Sequence, residues 1–85
     1  MAKIVMYTTE VCPYCICAEQ LLQRKGITAI EKIRVDLQAE LRIAMVEKTG
    51  RRTVPQIFIN GQHIGGYDDL AALDQAGELN ALLAN

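Results

Sequence analysis

Ile4-Val5-Met6-Tyr7-Thr8-Thr9-Glu10-Val11-Cys12-Pro13-Tyr14-Cys15 is the stretch on which the fold turns. An extended apolar run, Ile4 to Tyr7, leads into a Cys-x-x-Cys pair, and an amphipathic helix is expected to begin near Pro13. Two cysteines separated by two residues close a small disulfide with little backbone movement. At a helix N-terminus the first sulfur meets unpaired N–H groups and the positive end of the helix dipole. That field favours thiolate over thiol. A thiolate with a second thiol beside it is suited to thiol–disulfide exchange.

Outward from this stretch, residues 3 to 7 read as a buried strand. Ala18, Leu21, Leu22 and the stem of Lys25 repeat at helical spacing, and Gly26 supplies the stop. Ile30, Ile33 and Val35 mark a second strand over residues 29 to 35. Asp36 is expected to cap a helix carrying Leu37, Leu41, Ala44 and Met45, ended by Gly50. Two strands joined by a helix pair in parallel with a right-handed crossover. Gln56-Ile57-Phe58-Ile59 is a short apolar run, and Asn60-Gly61 signals a tight hairpin returning through Gln62-His63-Ile64-Gly65. Asp68 or Asp69 caps a third helix around 69 to 76, Gly77 breaks it, and Leu79, Leu82 and Leu83 offer a last apolar face. The order is β-α-β-α-β-β-α with an added C-terminal turn or helix.

The 85 residues suffice for one small domain spanning 1 to 85, and 51% are hydrophobic. No run of about 20 apolar residues is present, so no membrane span is expected. No secretory signal is expected at the N-terminus. The net charge of -1 with interspersed signs gives no reason to expect a nucleic-acid partner. Three cysteines, all between Cys12 and Cys17, cannot staple distant parts of a fold, so a reducing, cytoplasmic setting is expected. With a single histidine, His63, and no second Cys pair, a zinc site is not expected.

The element order with Cys-x-x-Cys after the first strand resembles the thioredoxin fold, an α/β arrangement with a four-stranded mixed sheet flanked by helices. Three segments narrow the resemblance: Tyr7-Thr8 leading into Cys12-Pro13-Tyr14-Cys15, Thr53-Val54-Pro55-Gln56-Ile57-Phe58-Ile59, and Gly65-Gly66-Tyr67-Asp68-Asp69-Leu70. They are similar to the dithiol glutaredoxins, most of all the small bacterial class called glutaredoxin 3. Thioredoxins typically carry Trp before the motif, and this chain has none. Monothiol glutaredoxins carry Cys-Gly-Phe-Ser instead.

The resemblance implies a glutathione-dependent thiol–disulfide oxidoreductase and a redox-active disulfide between Cys12 and Cys15. Cys12 would be the nucleophile, with its sulfur exposed, and Cys15 the more buried resolving thiol. Protein disulfides would be reduced by both thiols, and glutathione mixed disulfides by Cys12 alone. Pro55 would be cis, against the plain reading of a trans proline entering an edge strand. The Val54 backbone would then pair with the cysteinyl unit of glutathione, with Thr53 beside it. Gly65 and Gly66 allow close backbone approach, and Tyr67 follows them. Asp69 would receive the γ-glutamyl ammonium and Asp68 would serve the cap and carboxylate site, although either could be a plain N-cap. Tyr14 would cover the sulfur region.

Two departures stand out. Relatives commonly have Lys at the position of Thr9, so the cation for the glycyl carboxylate must come from elsewhere: Arg51 or Arg52, with Gln56 offering an amide. Cys17 reads as a small semi-buried core residue or as an auxiliary thiol, and His63 as an exposed strand residue. The expected partners are glutathione and disulfide-containing or glutathionylated proteins, a ribonucleotide reductase among the candidates, with the chain acting as a monomer. No metal is expected. The competing reading is a carrier of an iron–sulfur cluster held by Cys12 and glutathione in two subunits.

Overall fold

A computed structural model describes residues 2–84. The elements are β1 (Ile4–Thr8), α1 (Pro13–Arg24), β2 (Ile30–Arg34), α2 (Ala39–Thr49), β3 (Gln56–Ile59), β4 (Gln62–Gly65), α3 (Tyr67–Gln75) and α4 (Leu79–Leu83). The sheet order is β2-β1-β3-β4. β1 runs parallel to β2 and antiparallel to β3, and β3 is antiparallel to β4. This is the thioredoxin fold read from the sequence, with a fourth short helix.

β1 is central, which explains its nearly unbroken apolar run: both faces of the strand are covered. Ile4 and Met6, paired with Ile59 and Ile57, join Ala18, Leu21, Leu22, Leu70, Leu79 and Leu83 in the larger core. Tyr7, Val35 and Met45 form a smaller core, with Val5 and Phe58 packed against it. Burial of each such side chain contributes about 1.5–3 kcal/mol. Asn60 and Gly61 both take positive φ, 52° and 82°, as the tight hairpin requires. None of the described helices is long and apolar enough to cross a membrane.

Two helix starts differ from expectation. Asp36 does not cap α2. Its carboxylate is held by Arg34 through two hydrogen bonds of 2.7 and 2.8 Å and accepts the Glu10 N–H at 3.1 Å. The helix begins three residues later with Gln38 at the N-cap position, and Leu37 is left 68% exposed. α3 starts at Tyr67 because Gly66 takes the N-cap place. Asp69 sits at the third helical position, and its Oδ2 accepts the Gly66 N–H at 2.9 Å. It is the returning half of a capping box rather than the cap. Asp68, one position away, makes no cap.

Candidate functional site

The C-terminal end of β1 delivers the chain to Cys12 at the N-cap of α1, in extended conformation, with Pro13 at the first helical position. Pro tolerates that place because its missing N–H has no intrahelical partner there. The Cys15 N–H points back and donates to Cys12 Sγ at 3.2 Å. An amide aimed at the sulfur stabilises negative charge on it once the disulfide opens. Cys12 and Cys15 are joined in a disulfide, with Cα atoms 5.2 Å apart.

Cys15 is buried as expected. Cys12 is not exposed as expected: only 7% of it is accessible. Its sulfur is bonded to Cys15 on one side and lies 3.8 Å from the Val54 carbonyl oxygen on another. The Val54–Pro55 peptide bond is cis. The α2–β3 loop therefore places Val54 directly beside the first sulfur, although the two are far apart in sequence.

A groove of about 300 Å³ runs past this junction. Tyr14, Thr53, Val54 and Pro55 line one part of it, and Gly66, Tyr67, Asp68 and Asp69 the other. The Tyr14 and Tyr67 rings stack across it, centroids 6.4 Å apart. Gly65 has φ +120°, and a Cβ there would overlap the Asp69 carboxylate, so glycine is required for α3 to begin where it does. Arg51 closes the far end: its Nη1 donates to Asp69 Oδ2 at 2.8 Å. Arg51, reinforced by the Gly66 N–H, holds the Asp69 carboxyl below the usual carboxylate range.

Four expected positions are corrected. Arg52 does not line this groove. It borders a separate cavity with Val35, Leu37 and Arg42, and Arg42 Nη1 donates to the Arg52 carbonyl at 3.1 Å. Gln56 is fully buried, so it offers no amide to a ligand; its Nε2 donates to the Thr53 carbonyl at 3.0 Å. His63 is half-buried rather than exposed, and its Nε2 lies 2.8 Å from Gln56 Oε1. Cys17 is exposed rather than semi-buried. Arg42 carries no signal in the sequence, and Asp36, expected only as a helix cap, is instead the partner of Arg34 and the Glu10 N–H. Arg42 lies on α2, in no motif, and only its meeting with the Arg52 carbonyl brings it near the loop.

A disulfide-forming Cys-x-x-Cys at a helix start, a cis proline beside it and a glycine-opened helix facing both form one constellation. Comparison with known proteins bears on it directly. A sequence model of the family described as Glutaredoxin matches residues 4–64. The chain belongs to the glutaredoxin family. It is 54% identical over 84 residues to a glutaredoxin of Pseudomonas aeruginosa, covering 99% of each chain. It is 51% identical over 83 residues to glutaredoxin 3 of Escherichia coli K12, covering 98% of this chain and 99% of that one. Among solved structures, a buckwheat glutaredoxin–glutathione complex superposes with TM-score 0.87 at 30% identity, covering 98% of this chain and 77% of that one.

As a glutaredoxin, the chain is a glutathione-dependent thiol–disulfide oxidoreductase. Its redox-active pair is Cys12–Cys15. The iron–sulfur reading is not favoured over this activity.

Proposed function

We propose that Cys12 is the attacking thiolate and that glutathione docks in the groove between Val54 and Asp69. One observation carries the reading: the same groove has Val54, 3.8 Å from the Cys12 sulfur, toward one end and the Asp69 carboxylate at the other. A tripeptide thiol lying along it brings its sulfur to Cys12 and its γ-glutamyl ammonium to Asp69, a charge-assisted contact. The Gly66 turn and the start of α3, with Asp68, suit the γ-glutamyl carboxylate. Tyr14, Thr53, Pro55 and Tyr67 form the walls.

In the dithiol route the Cys12 thiolate attacks one sulfur of a protein disulfide, and the other sulfur leaves as thiolate. Cys15 gives up its proton, attacks the Cys12 sulfur and expels the substrate thiolate, leaving the Cys12–Cys15 disulfide. One glutathione thiolate attacks the Cys12 sulfur and frees Cys15. A second attacks the bound glutathione sulfur, releasing oxidised glutathione and the Cys12 thiolate. Two electrons pass from two glutathiones to one disulfide. In the monothiol route Cys12 alone takes glutathione from a glutathionylated protein, and the second glutathione removes it.

The route requires no metal, and Cys15 competes with any cluster for Cys12. The remaining proposals are a monomer in the cytoplasm, with disulfide enzymes such as ribonucleotide reductase among its partners. Cys12→Ser is expected to abolish both routes, and Cys15→Ser to abolish only the first. Deglutathionylation surviving in Cys12→Ser would overturn the assignment of the nucleophile.

A further inference from the structure

We infer that His63, acting through the buried amide of Gln56, is a positioning residue for glutathione docking: it fixes the Thr53 carbonyl and thereby the Val54 backbone beside Cys12. The inference rests on the docking assignment above. Gln56 is the first residue of β3, directly after Pro55, and is fully buried. Its Nε2 donates to the Thr53 carbonyl at 3.0 Å and approaches Thr53 Oγ1 at 3.4 Å. Its Oε1 meets His63 Nε2 at 2.8 Å. Both ends of the amide are therefore engaged.

A side-chain amide rotates about its last torsion with little intrinsic preference. Turned over, this one would set its oxygen against the Thr53 carbonyl, acceptor to acceptor. A proton on His63 Nε2 forbids that arrangement, because only an oxygen can face it. Burial, and then Arg51, push the His63 pKa down against the opposing effect of Asp69. A neutral ring has one N–H, and here it must be Nε2–H. Phe58 packs against the ring, centroids 5.1 Å apart, and limits its rotation.

The connection then runs from the edge strand β4 through β3 to the loop. Thr53 is exposed and lies outside the sheet ladder. The Gln56 amide ties its carbonyl across the proline turn. Without the tie the residue before Val54 is free to move, and the Val54 backbone loses its fixed place 3.8 Å from the Cys12 sulfur. A wrong place for Val54 weakens docking of a peptide backbone but leaves the thiol chemistry of Cys12 intact.

The test uses the Cys15→Ser protein, in which Cys12 forms stable mixed disulfides. The equilibrium between free Cys12 and its glutathione mixed disulfide is measured by mass spectrometry in glutathione redox buffers. The same measurement is made with mercaptoethanol, which has no peptide backbone. His63→Leu is expected to lower the glutathione constant about 5- to 10-fold, the loss of about one buried hydrogen bond. The mercaptoethanol constant should not move. His63→Gln, which restores an N–H donor, should recover most of the loss. In the unsubstituted protein, nitrogen NMR shifts should place the His63 proton on Nε2 at neutral pH.

A glutathione constant unchanged in His63→Leu, equal losses for both disulfides, or a proton found on Nδ1 would each overturn the inference. If the parent protein shows no preference for glutathione over mercaptoethanol, the docking assignment falls and the relay with it. A preserved preference in His63→Leu removes the relay alone.

Discussion

The backbone N–H of Glu10 donates to the Asp36 carboxylate, 3.1 Å from Oδ2, and so fastens the loop before Cys12 to the end of β2. The same carboxylate is gripped by Arg34. Arg34 first, and then the Glu10 N–H, hold the Asp36 carboxyl well below the usual carboxylate range. An acid whose folded pKa is depressed stabilises the protein above its unfolded pKa, about 3.9 for Asp, and loses that contribution as pH falls from there through the lower folded value.

Stability should therefore respond to acid in two stages. His63 has a folded pKa below its usual value, so the unfolded chain takes up that proton first, and stability begins to decline below about pH 6.5. Asp36 and Asp69 add their loss only below about pH 4. Thermal midpoints of wild type and Asp36→Asn should run parallel above that pH and converge below it. A gap that widens in acid would contradict the assignment of Asp36.

Asp69→Asn keeps an acceptor for the Gly66 N–H but loses the charge facing Arg51 and any docked ammonium. The expected result is a glutathione mixed disulfide about 10- to 150-fold less favoured, the scale of one charged hydrogen bond, with little change in thermal midpoint. Mass spectrometry in redox buffers reads the first quantity, and a thermal melt the second.

Gly65→Ala combines a strained φ of +120° with overlap on the Asp69 carboxylate. The loss of stability should be at least ~2 kcal/mol. That lowers the midpoint by about 8 °C or more in a chain of this size. Calorimetry checks it. A Gly65→Ala protein as stable as wild type would mean that the Gly65-Gly66 turn is not built as described.

Thr9 shares a small cavity with Cys12, Cys15, Lys32 and Arg34, and its hydroxyl is spent on the Val11 carbonyl at 3.3 Å. Thr9→Lys adds a cation on that side of the sulfur. The thiolate should titrate about 0.5 units lower, as a nearby unit charge at partly solvated distance requires. Iodoacetamide reaction rates against pH in the reduced Cys15→Ser protein measure it directly.

Met45 is fully buried, in the smaller core with Tyr7 and Val35. Met45→Ala should cost about 2–5 kcal/mol. The catalytic pair lies in the other core, so activity per folded molecule should be kept at temperatures where the variant remains folded. Urea unfolding alongside a glutathione-coupled assay separates the two effects.

Local pattern alone settled a great deal. The apolar run of β1, the helical spacing of Ala18, Leu21 and Leu22, the Asn60-Gly61 hairpin and the Cys12–Cys15 spacing each carry their structure within a few residues. The three motifs also named the walls of the groove, because their chemistry lies in contiguous residues. The exposure of Cys17, expected to be semi-buried, had a local signal that the reading passed over. The residue lies about 200° around the helix from Cys15, whose face carries Ala18 and Leu22 into the core, so it must point outward.

Polar side chains whose partners lie on other elements find their places only in the folded chain. Nothing in the order Arg51-Arg52 tells which arginine faces the groove; Asp69, on α3, takes Arg51. Asp36 is a good helix cap by residue type, but Arg34 and the Glu10 N–H hold its carboxylate first. Gln56 suits a ligand site by type, but it is buried because Thr53 and His63 satisfy its amide from both sides. Apolar periodicity is a property of one segment and survives in the linear chain. Hydrogen-bond satisfaction is a property of pairs, and it exists only after folding has brought the pairs together.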